Sequence, residues 1–433
     1  MVLIFDFLGS YTKTRWDMKH LRSRAQLEKV QQRRLQRLLK WLPADHYYSA
    51  YKNGPWAQIP ISDKAHWMGN FNQVNTLGLD FDQTRNFARH QEDTRQFDDE
   101  IRPGISVGLS TGTSGNQGVF ITSQRERGLW AGAIIGKLLP KIPKQQERVA
   151  FFMRANNNLY ESTGSRFLKF KFFDLMRDPQ KNLVDLVLFN ATILIAPPTM
   201  LLEIVRYYQD HKLDFNFKKI ISIAETLEPE DKNWLEKETG QIIHQVYQAT
   251  EGFLGATCPY GTLHLNEDNL LVEKDVIDEE QHLFAPIITD FYRHSQPLIR
   301  YRLNDVLQEK VTPCPCGSPY LALERIIGRE DDLLIFAQEN SQGSQKVFPD
   351  FLRKVVLEAN ANIQNYQIIQ QDPHHLTIAL EDEAYQKAVM DNLIKFLQTH
   401  HLEVPAVNFV AYHYDFKNGK RRKIIREKQK GKV

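Results

Sequence analysis

The stretch Val107-Gly108-Leu109-Ser110-Thr111-Gly112-Thr113-Ser114-Gly115-Asn116-Gln117-Gly118 combines glycines and hydroxyls in the way a phosphate-binding loop requires. Glycine lets a backbone approach a ligand closely, while amides and hydroxyls donate to phosphate oxygens without a buried cation. No Gly-Lys-Ser/Thr follows the glycines, so this is not a Walker loop. By itself such a stretch is more often an ordinary loop. A second cluster involves all three cysteines. Cys258-Pro259-Tyr260-Gly261 reads as a tight turn that returns His264 towards Cys258, and Cys314-Pro315-Cys316-Gly317 presents two thiols on a short loop. Three sulfurs and one nitrogen would make a closed, structural zinc site. The other reading is three unconnected reduced thiols, because Cys-x-Cys is tighter than common zinc spacing. His374-His375 and His400-His401 lack partners at ligand spacing and read as surface residues.

These groups need elements to hold them. From about residue 149 onward, apolar β-rich runs alternate with helical patterns. Val149–Met153, Thr192–Ala196, Lys219–Ala224, Ile242–Tyr247 and Ile287–Tyr292 are the expected strands, with helices over Leu201–His211 and from Glu228-Pro229-Glu230 onward. Such alternation predicts a mainly parallel sheet flanked by helices, whose ligands sit beyond the carboxyl ends of the strands. Chemistry is therefore expected just after Ala224 and just after Tyr247. Glu251 lies at the second of these places, with helix capping as its ordinary alternative. Asp305, in Asn304-Asp305, has a turn as its alternative. After Gly328 the pattern restarts: Asn340–Lys346 is polar and loop-like, Phe351–Leu357 helical, Tyr366–Gln370 and Leu376–Leu380 strand-like, and Glu383–His400 helical. The expected fold class is α/β, with a large N-terminal body (1–328), a hinge (329–335) and a small mobile α+β C-terminal domain (336–433).

With 433 residues, 42% hydrophobic and 25% charged, the chain is neither collagen-like nor disordered. Net charge is +2, yet residues 13–40 and residues 417–433 each carry +8, which leaves the remainder at −14. Basic ends admit a nucleic-acid or membrane-surface partner. The favoured reading is an amphipathic helix over 21–42, with Leu27, Val30, Leu35, Leu38, Leu39 and Trp41 on one side and solvated charges opposite, because no interleaved aromatics offer a stacking platform. Met1–Gly9 is apolar but broken by Asp6 and does not read as a signal peptide. No run reaches the roughly 18 apolar residues of a membrane span. The odd cysteine count argues against a disulfide framework and for a reducing, cytoplasmic setting.

Further motifs follow the loop in order: Ile223-Ala224-Glu225-Thr226-Leu227, Tyr247-Gln248-Ala249-Thr250-Glu251, Ile299-Arg300-Tyr301-Arg302-Leu303-Asn304-Asp305, Gly328-Arg329-Glu330-Asp331-Asp332 and Asn418-Gly419-Lys420. The set resembles the adenylate-forming superfamily of acyl-CoA synthetases and adenylation domains, and within it the phenylacetate:coenzyme A ligase branch. The resemblance runs from the basic helix and Ile59-Pro60-Ile61-Ser62-Asp63-Lys64 to Lys420. It implies that ATP activates a carboxylic acid to an acyl-adenylate with release of pyrophosphate, followed by transfer to the thiol of coenzyme A or a carrier protein.

By resemblance, Ser110, Thr111, Gly112, Thr113, Ser114 and Gly115 cradle pyrophosphate. Tyr247 stacks on adenine, with Ala224, Glu225, Gln248 and Thr250 beside the nucleotide, and Glu251 holds Mg²⁺. Asp305 accepts the ribose hydroxyls with Arg329 nearby. Asp331 is the hinge, and Lys420 is the mobile lysine of adenylation, with Lys423 as its rival. Relatives of this branch have similar Cys and His positions, which favours zinc at Cys258, His264, Cys314 and Cys316. Asn156, Asn157 and Tyr160 follow a strand end and are the candidate acyl-pocket wall, an Asn-rich turn being the ordinary explanation. Arg300 and Arg302 share a face of an extended segment, where pairing with surface acids is as good a reading as function.

Three departures stand out. Gln117-Gly118 replaces the lysine that commonly follows the loop, Gln248 replaces a glycine, and Val347-Phe348-Pro349 comes only after the polar stretch Glu339–Lys346. The alternatives are transfer of AMP to a hydroxyl without thioester formation, a catalytically silent nucleotide-binding protein, and a nucleic-acid-binding protein, against which the motifs weigh.

Overall fold

The structure, a computed structural model, describes residues 2–97, 99–110, 118–139, 145–153, 168–339, 343–360, 363, 365–413 and 423–427. The chain divides into two compact units, one of Met1–Leu303 with Gln308–Arg325, the other of Asn304–Leu307 with Ile326–Val433. The division passes through two strands rather than through a linker.

In the first unit, helix α1 (Val2–His20) leads into α2 (Arg24–Trp41), whose start is capped by the Ser23 side chain accepting from the Gln26 amide. Leu27, Gln31 and Leu38 are buried on one face of α2, as its amphipathic pattern predicts. Its charges are not all solvated, however. Arg24 reaches Glu267 at 2.7 Å and Arg34 reaches Asp17 at 2.8 Å, and both carboxylates are buried. Part of the basic stretch therefore neutralises interior acids, which would be costly to bury unpaired. Helices α3 (Lys64–Gly69), α4 (Phe71–Val74) and α5 (Phe81–Thr94) follow, then a ribbon of β1 (Ile105–Leu109) and β2 (Val119–Ser123), then α6 (Gln124–Leu138). α6 lies against α1 at Gly132, where a Cβ would come within 2.8 Å of Ser10 Cβ and 2.9 Å of the Tyr11 amide nitrogen. Only glycine permits that approach.

The central sheet begins with five parallel strands in the order β4 (Leu168–Asp174), β3 (Glu147–Met153), β5 (Ile193–Ala196), β6 (Lys219–Ser222) and β7 (Ile243–Ala249). Crossover helices α7 (Pro179–Phe189), α8 (Pro198–Asp210) and α9 (Pro229–Thr239) each start with proline in the first turn. Their apolar faces cover the sheet in a core that includes Phe152, Leu194, Leu201, Ile220 and Leu235. Parallel pairing stops at β7. Strands β8 (Gly252–Thr257) and β9 (Leu263–Leu265) continue antiparallel, and β10 (Leu270–Asp278) and β11 (Leu283–Asp290) form a long antiparallel hairpin. Short turns such as Thr250-Glu251 leave no length for a crossover, so reversal is the only available connection. Strand β12 (Tyr301–Arg302) lies on β11, and β13 (Asp305–Glu309) and β14 (Ala322–Arg329), the strands cut by the division, complete twelve.

The second unit holds a hairpin of β15 (Leu334–Ala337) and β16 (Ser344–Val347), helices α10 (Pro349–Ala359) and α11 (Gln386–Thr399), and a four-stranded sheet in the order β19 (Ala406–Ala411), β18 (His375–Leu380), β17 (Tyr366–Asp372), β20 (Ile424–Arg426). Its core gathers Leu334, Phe336, Leu352, Tyr366 and Leu393. The loop expected over 340–346 ends in strand: Ser344 pairs with Ala337 and Val347 with Leu334. In this hairpin Leu334, Phe336 and Val347 supply the buried side. The polar residues of β16 were free to look like a loop. Residues 340–342 lie outside those described. Among the described residues no helix is long and apolar enough to cross a membrane.

Candidate functional site

The loop neck is closed by Ser110. Its amide donates to the Gly118 carbonyl at 2.8 Å, and its Oγ accepts from the Gly118 amide at 2.7 Å and from Lys64 Nζ at 2.9 Å. A hydroxyl has two acceptor lone pairs and one hydrogen. With both lone pairs used, the Ser110 hydrogen is left as a donor. Thr111, Gly112, Thr113, Ser114 and Gly115 lie outside the described residues.

Glu251 sits in the turn between β7 and β8, beyond the carboxyl end of a sheet strand as expected. Gly252 follows with φ 150°, in a region that L-residues avoid, and a Cβ there would stand 3.5 Å from Asp290 Oδ2. Arg293 fastens the turn by donating from Nη1 to the carbonyls of Thr250 at 2.9 Å and Glu251 at 2.8 Å. The Glu251 carboxylate accepts from Thr250 Oγ1 at 2.8 Å and from the Tyr301 hydroxyl at 3.3 Å. Burial, and then the neighbouring Glu251 charge, push the Tyr301 phenol far above its usual pKa. It stays protonated and donates.

Tyr301 also explains how Lys64 arrives. Ser62 bridges to the β12 segment, its amide donating to the Arg300 carbonyl at 3.0 Å and its carbonyl accepting from the Arg302 amide at 2.8 Å. Asp63 then caps α3 by accepting from the His66 amide at 2.8 Å, so Lys64 leaves from a fixed backbone. Lys64, Trp67, Ser110, Gly118, Thr250, Glu251, Arg293 and Tyr301 line one crevice. Behind it, Gln296 ties in β2, accepting from the Ile121 amide at 2.8 Å and donating to the Val119 carbonyl at 3.2 Å. Buried Glu126 holds the adjoining segment through the Ser295 amide at 2.7 Å.

The crevice thus unites three expected residues, Ser110, Thr250 and Glu251, with Lys64, Trp67, Arg293 and Tyr301, to which sequence reasoning gave no role. The only sequence feature that bears on them is the missing lysine after the loop, which leaves Gln117-Gly118 without a side-chain cation. Tyr247 lies outside this lining and is only 7% exposed, and Gln248 Oε1 accepts from Trp130 Nε1 at 3.0 Å. Ala224 has φ 66°, a conformation costly for a residue with a Cβ, and the Glu225 carboxylate accepts from Thr199 Oγ1 at 2.7 Å. Arg300 pairs with Glu273 at 2.8 Å and Arg302 with Asp275 at 2.6 Å, both acids being half-buried on β10.

In the second unit Arg329 Nε stands 3.6 Å from Asp305 Oδ1. Asp331 lies in the short 3₁₀ turn Glu330–Asp332, three residues after the positive-φ Gly328. Lys423 is 8% exposed, with its ammonium 5.4 Å from the Tyr366 ring centroid, so it belongs to that unit's interior. Lys420, Asn156, Asn157 and Tyr160 lie outside the described residues.

The cysteines and His264 do meet. Ligand atoms of Cys258, His264, Cys314 and Cys316 all lie within 4.8 Å of one another. Two tight turns achieve this: the Gly261 amide donates to the Cys258 carbonyl at 3.0 Å with φ 81°, and the Gly317 amide to the Cys314 carbonyl at 3.1 Å with φ 66°. The Cys258–Cys314 sulfurs are 3.7 Å apart and Cys316 Sγ is 3.4 Å from His264 Nε2. A zinc tetrahedron with bonds of about 2.3 Å has edges of about 3.8 Å. His264 Nδ1 is 3.1 Å from the Tyr320 carbonyl, so that nitrogen carries the proton and Nε2 is the one free to ligate. Burial works against an ionised Cys314, but hydrogen bonds led by those from the Thr262 side chain and the Cys316 amide outweigh it and hold this thiol at about 6. Burial raises Cys316 to about 12, with its sulfur neighbours adding to the rise. The set fits a closed metal site with three sulfurs and one nitrogen.

No family model matches the chain. Protein CapK of Staphylococcus aureus is 25% identical over 234 residues, covering 53% of this chain and 50% of CapK. Phenylacetate-coenzyme A ligase of Thermus thermophilus is 28% identical over 113 residues, 24% of each chain. The chain therefore matches half or less of the length of these curated relatives. Among solved structures, 2-hydroxyisobutyryl-CoA ligase in its postadenylation state with 2-HIB-AMP superposes with a TM-score of 0.68 at 15% identity, covering 94% of this chain and 91% of that one. A GH3.15 acyl acid amido synthetase gives 0.53 at 12% identity, covering 86% and 82%. At these identities likeness speaks for architecture, and the architecture of this chain is that of the adenylate-forming acid ligases, the superfamily that its ordered motifs resemble.

Proposed function

We propose that the protein is an ATP-dependent ligase that activates a carboxylic acid as its acyl-adenylate and passes the acyl group to a thiol, that of coenzyme A or a carrier protein. The observation that carries this reading is the crevice in which Glu251 and the neck of the Ser110–Gly118 loop meet. A carboxylate oxygen attacks the α-phosphorus of ATP, the Pα–O bond to the β-phosphate breaks, and pyrophosphate leaves. The Ser110 hydroxyl and the loop that it closes donate to the departing phosphates. Arg293 and Tyr301 keep Glu251 in place.

Mg²⁺ favours one or two carboxylates completed by phosphate oxygens, a demand that Glu251 meets, and when bound it would offset phosphate charge. Asp305 and Arg329 are assigned to the ribose, Tyr247 to adenine, and Lys420 to the α-phosphate at the adenylation step, with residues 336–433 turning about Asp331. Those assignments rest on the motif resemblance. The four-ligand cluster is proposed as a structural zinc site. Three cysteines that form no disulfide suit a reducing, cytoplasmic setting.

A second acceptor class, an amine, is favoured by the amido synthetase likeness. The test is pyrophosphate–ATP exchange over a panel of aromatic and aliphatic acids, followed by mass analysis of products with coenzyme A or amines added. Exchange that depends on an acid, and is abolished in Glu251→Ala, supports the reading. Absence of exchange with every acid defeats it.

A further inference from the structure

The stretch whose ends, Ser110 and Gly118, line the crevice has Gln117 and Gly118 in sequence where a lysine commonly follows such a loop. Pyrophosphate nevertheless leaves with its full charge, and the breaking Pα–O bond delivers an electron pair to it with no proton transferred. A hydroxyl and backbone amides alone meet that charge poorly, whereas a fixed ammonium stabilises it directly. Lys64 is built to do so. Its Nζ donates to Ser110 Oγ at 2.9 Å, on the neck of the loop, and it lines the same crevice as Glu251. An ammonium has three donors, and the bond to Ser110 takes one of them.

The absence of a side chain at Gly118 belongs to the same device. A Cβ there would lie 2.9 Å from Lys64 Cε and 3.4 Å from Ser110 Oγ, so any larger residue would push the end of the lysine stem out of its present place. The backbone under Lys64 is anchored twice, by the Asp63 cap and by the Ser62 bridge to the strand that carries Tyr301, which in turn bonds Glu251. One rigid segment thereby registers a cation against both the loop neck and the carboxylate turn. We infer that Lys64 contacts the β- and γ-phosphates of ATP, and the pyrophosphate they become, replacing by position in space the lysine that the loop lacks in sequence. This rests on the nucleotide reading above and adds to it a residue from a different part of the chain.

The experiment measures equilibrium binding of ATP, AMP and pyrophosphate, each with Mg²⁺, to the full chain and to Lys64→Ala, Lys64→Arg and Gly118→Ala. Lys64→Ala should weaken ATP and pyrophosphate roughly tenfold or more while AMP stays within about twofold, because the lost contact is with the terminal phosphates. Lys64→Arg should recover part of the loss. Gly118→Ala keeps the lysine but crowds its stem, and should show the same selectivity even if Lys64→Ala fails to fold. Equal weakening of ATP and AMP, or none, overturns the assignment of Lys64 and leaves the nucleotide site standing. A wild-type chain that binds neither nucleotide overturns both.

Discussion

Arg293 offers a demanding test of how the crevice is held. Its Nη1 serves the Thr250 and Glu251 carbonyls at 2.9 and 2.8 Å, while the Nη2 contact to Gln296 is long at 3.4 Å and adds little. Each bond from a charged donor contributes about 1.5–3 kcal/mol where water is excluded. Arg293 is half-buried and lines an open crevice, so water replaces part of what truncation removes. We take about 2 kcal/mol for the pair, divided between fold stability and the placement of Glu251. Arg293→Ala should therefore raise the KM for MgATP in pyrophosphate exchange by about tenfold and lower the unfolding free energy in urea by about 1 kcal/mol. Arg293→Lys keeps the charge but loses the fork, and should restore about half of each effect. Unchanged KM and stability in Arg293→Ala would refute this reasoning. So would a fall in kcat with KM unmoved, since that would put the guanidinium on the reacting atoms instead of behind Glu251.

Three other outcomes are expected. The full chain should retain about one zinc after dialysis, and His264→Ala or Cys314→Ser should bring metal content well below half and lower the melting temperature; a wild-type chain that takes up no zinc from a loading solution contradicts the cluster's role. Burial, with Glu126 nearby, pushes the Asp290 carboxyl up to about 6 from 3.8 even though it accepts from the Tyr292 and Arg293 amides. The folded state then binds that proton more tightly, so this contribution to stability is whole below about pH 4 and is lost as pH rises through about 6, amounting to roughly 3 kcal/mol. Asp290→Asn keeps the acceptor oxygen and should flatten that part of the stability–pH curve, and an unaltered curve would count against the buried-acid account. Gly132→Ala should destabilise by about 1–3 kcal/mol in urea, because the new methyl meets Ser10 and backbone of α1; a neutral effect would mean that α1 does not lie where described.

Much of the architecture was legible because local chemistry agreed with it. The apolar runs at 149–153, 192–196, 219–224 and 242–247 became β3, β5, β6 and β7, shifted by a few residues at their ends. Proline in the first turn and an acidic opening announced the helix at Pro229. The polar strand Ser344–Val347 escaped because periodicity sees only the buried face of a hairpin, and here the partner strand supplies most of it. Antiparallel continuation beyond β7 escaped for another reason: apolar alternation marks a strand but not its direction, and loop length alone decides that.

The candidate site divides along the same line. Composition and order singled out the Ser/Thr/Gly loop, Glu251 and the three cysteines with His264, because phosphate, divalent and thiophilic ligands each demand distinctive residue types. Lys64, Arg293 and Tyr301 carry no such mark, since a lysine, an arginine or a tyrosine is ordinary anywhere on a chain. They became part of a site only when the bridge from Ser62 to Tyr301 and the hydrogen bonds of Arg293 and Gln296 drew residues 64, 110, 251 and 301 into one crevice. The amino-acid sequence determined which chemistries were available to this chain. Tertiary contact decided which side chains act together, because only packing brings distant residues within the 3 Å or so over which a hydrogen bond is made.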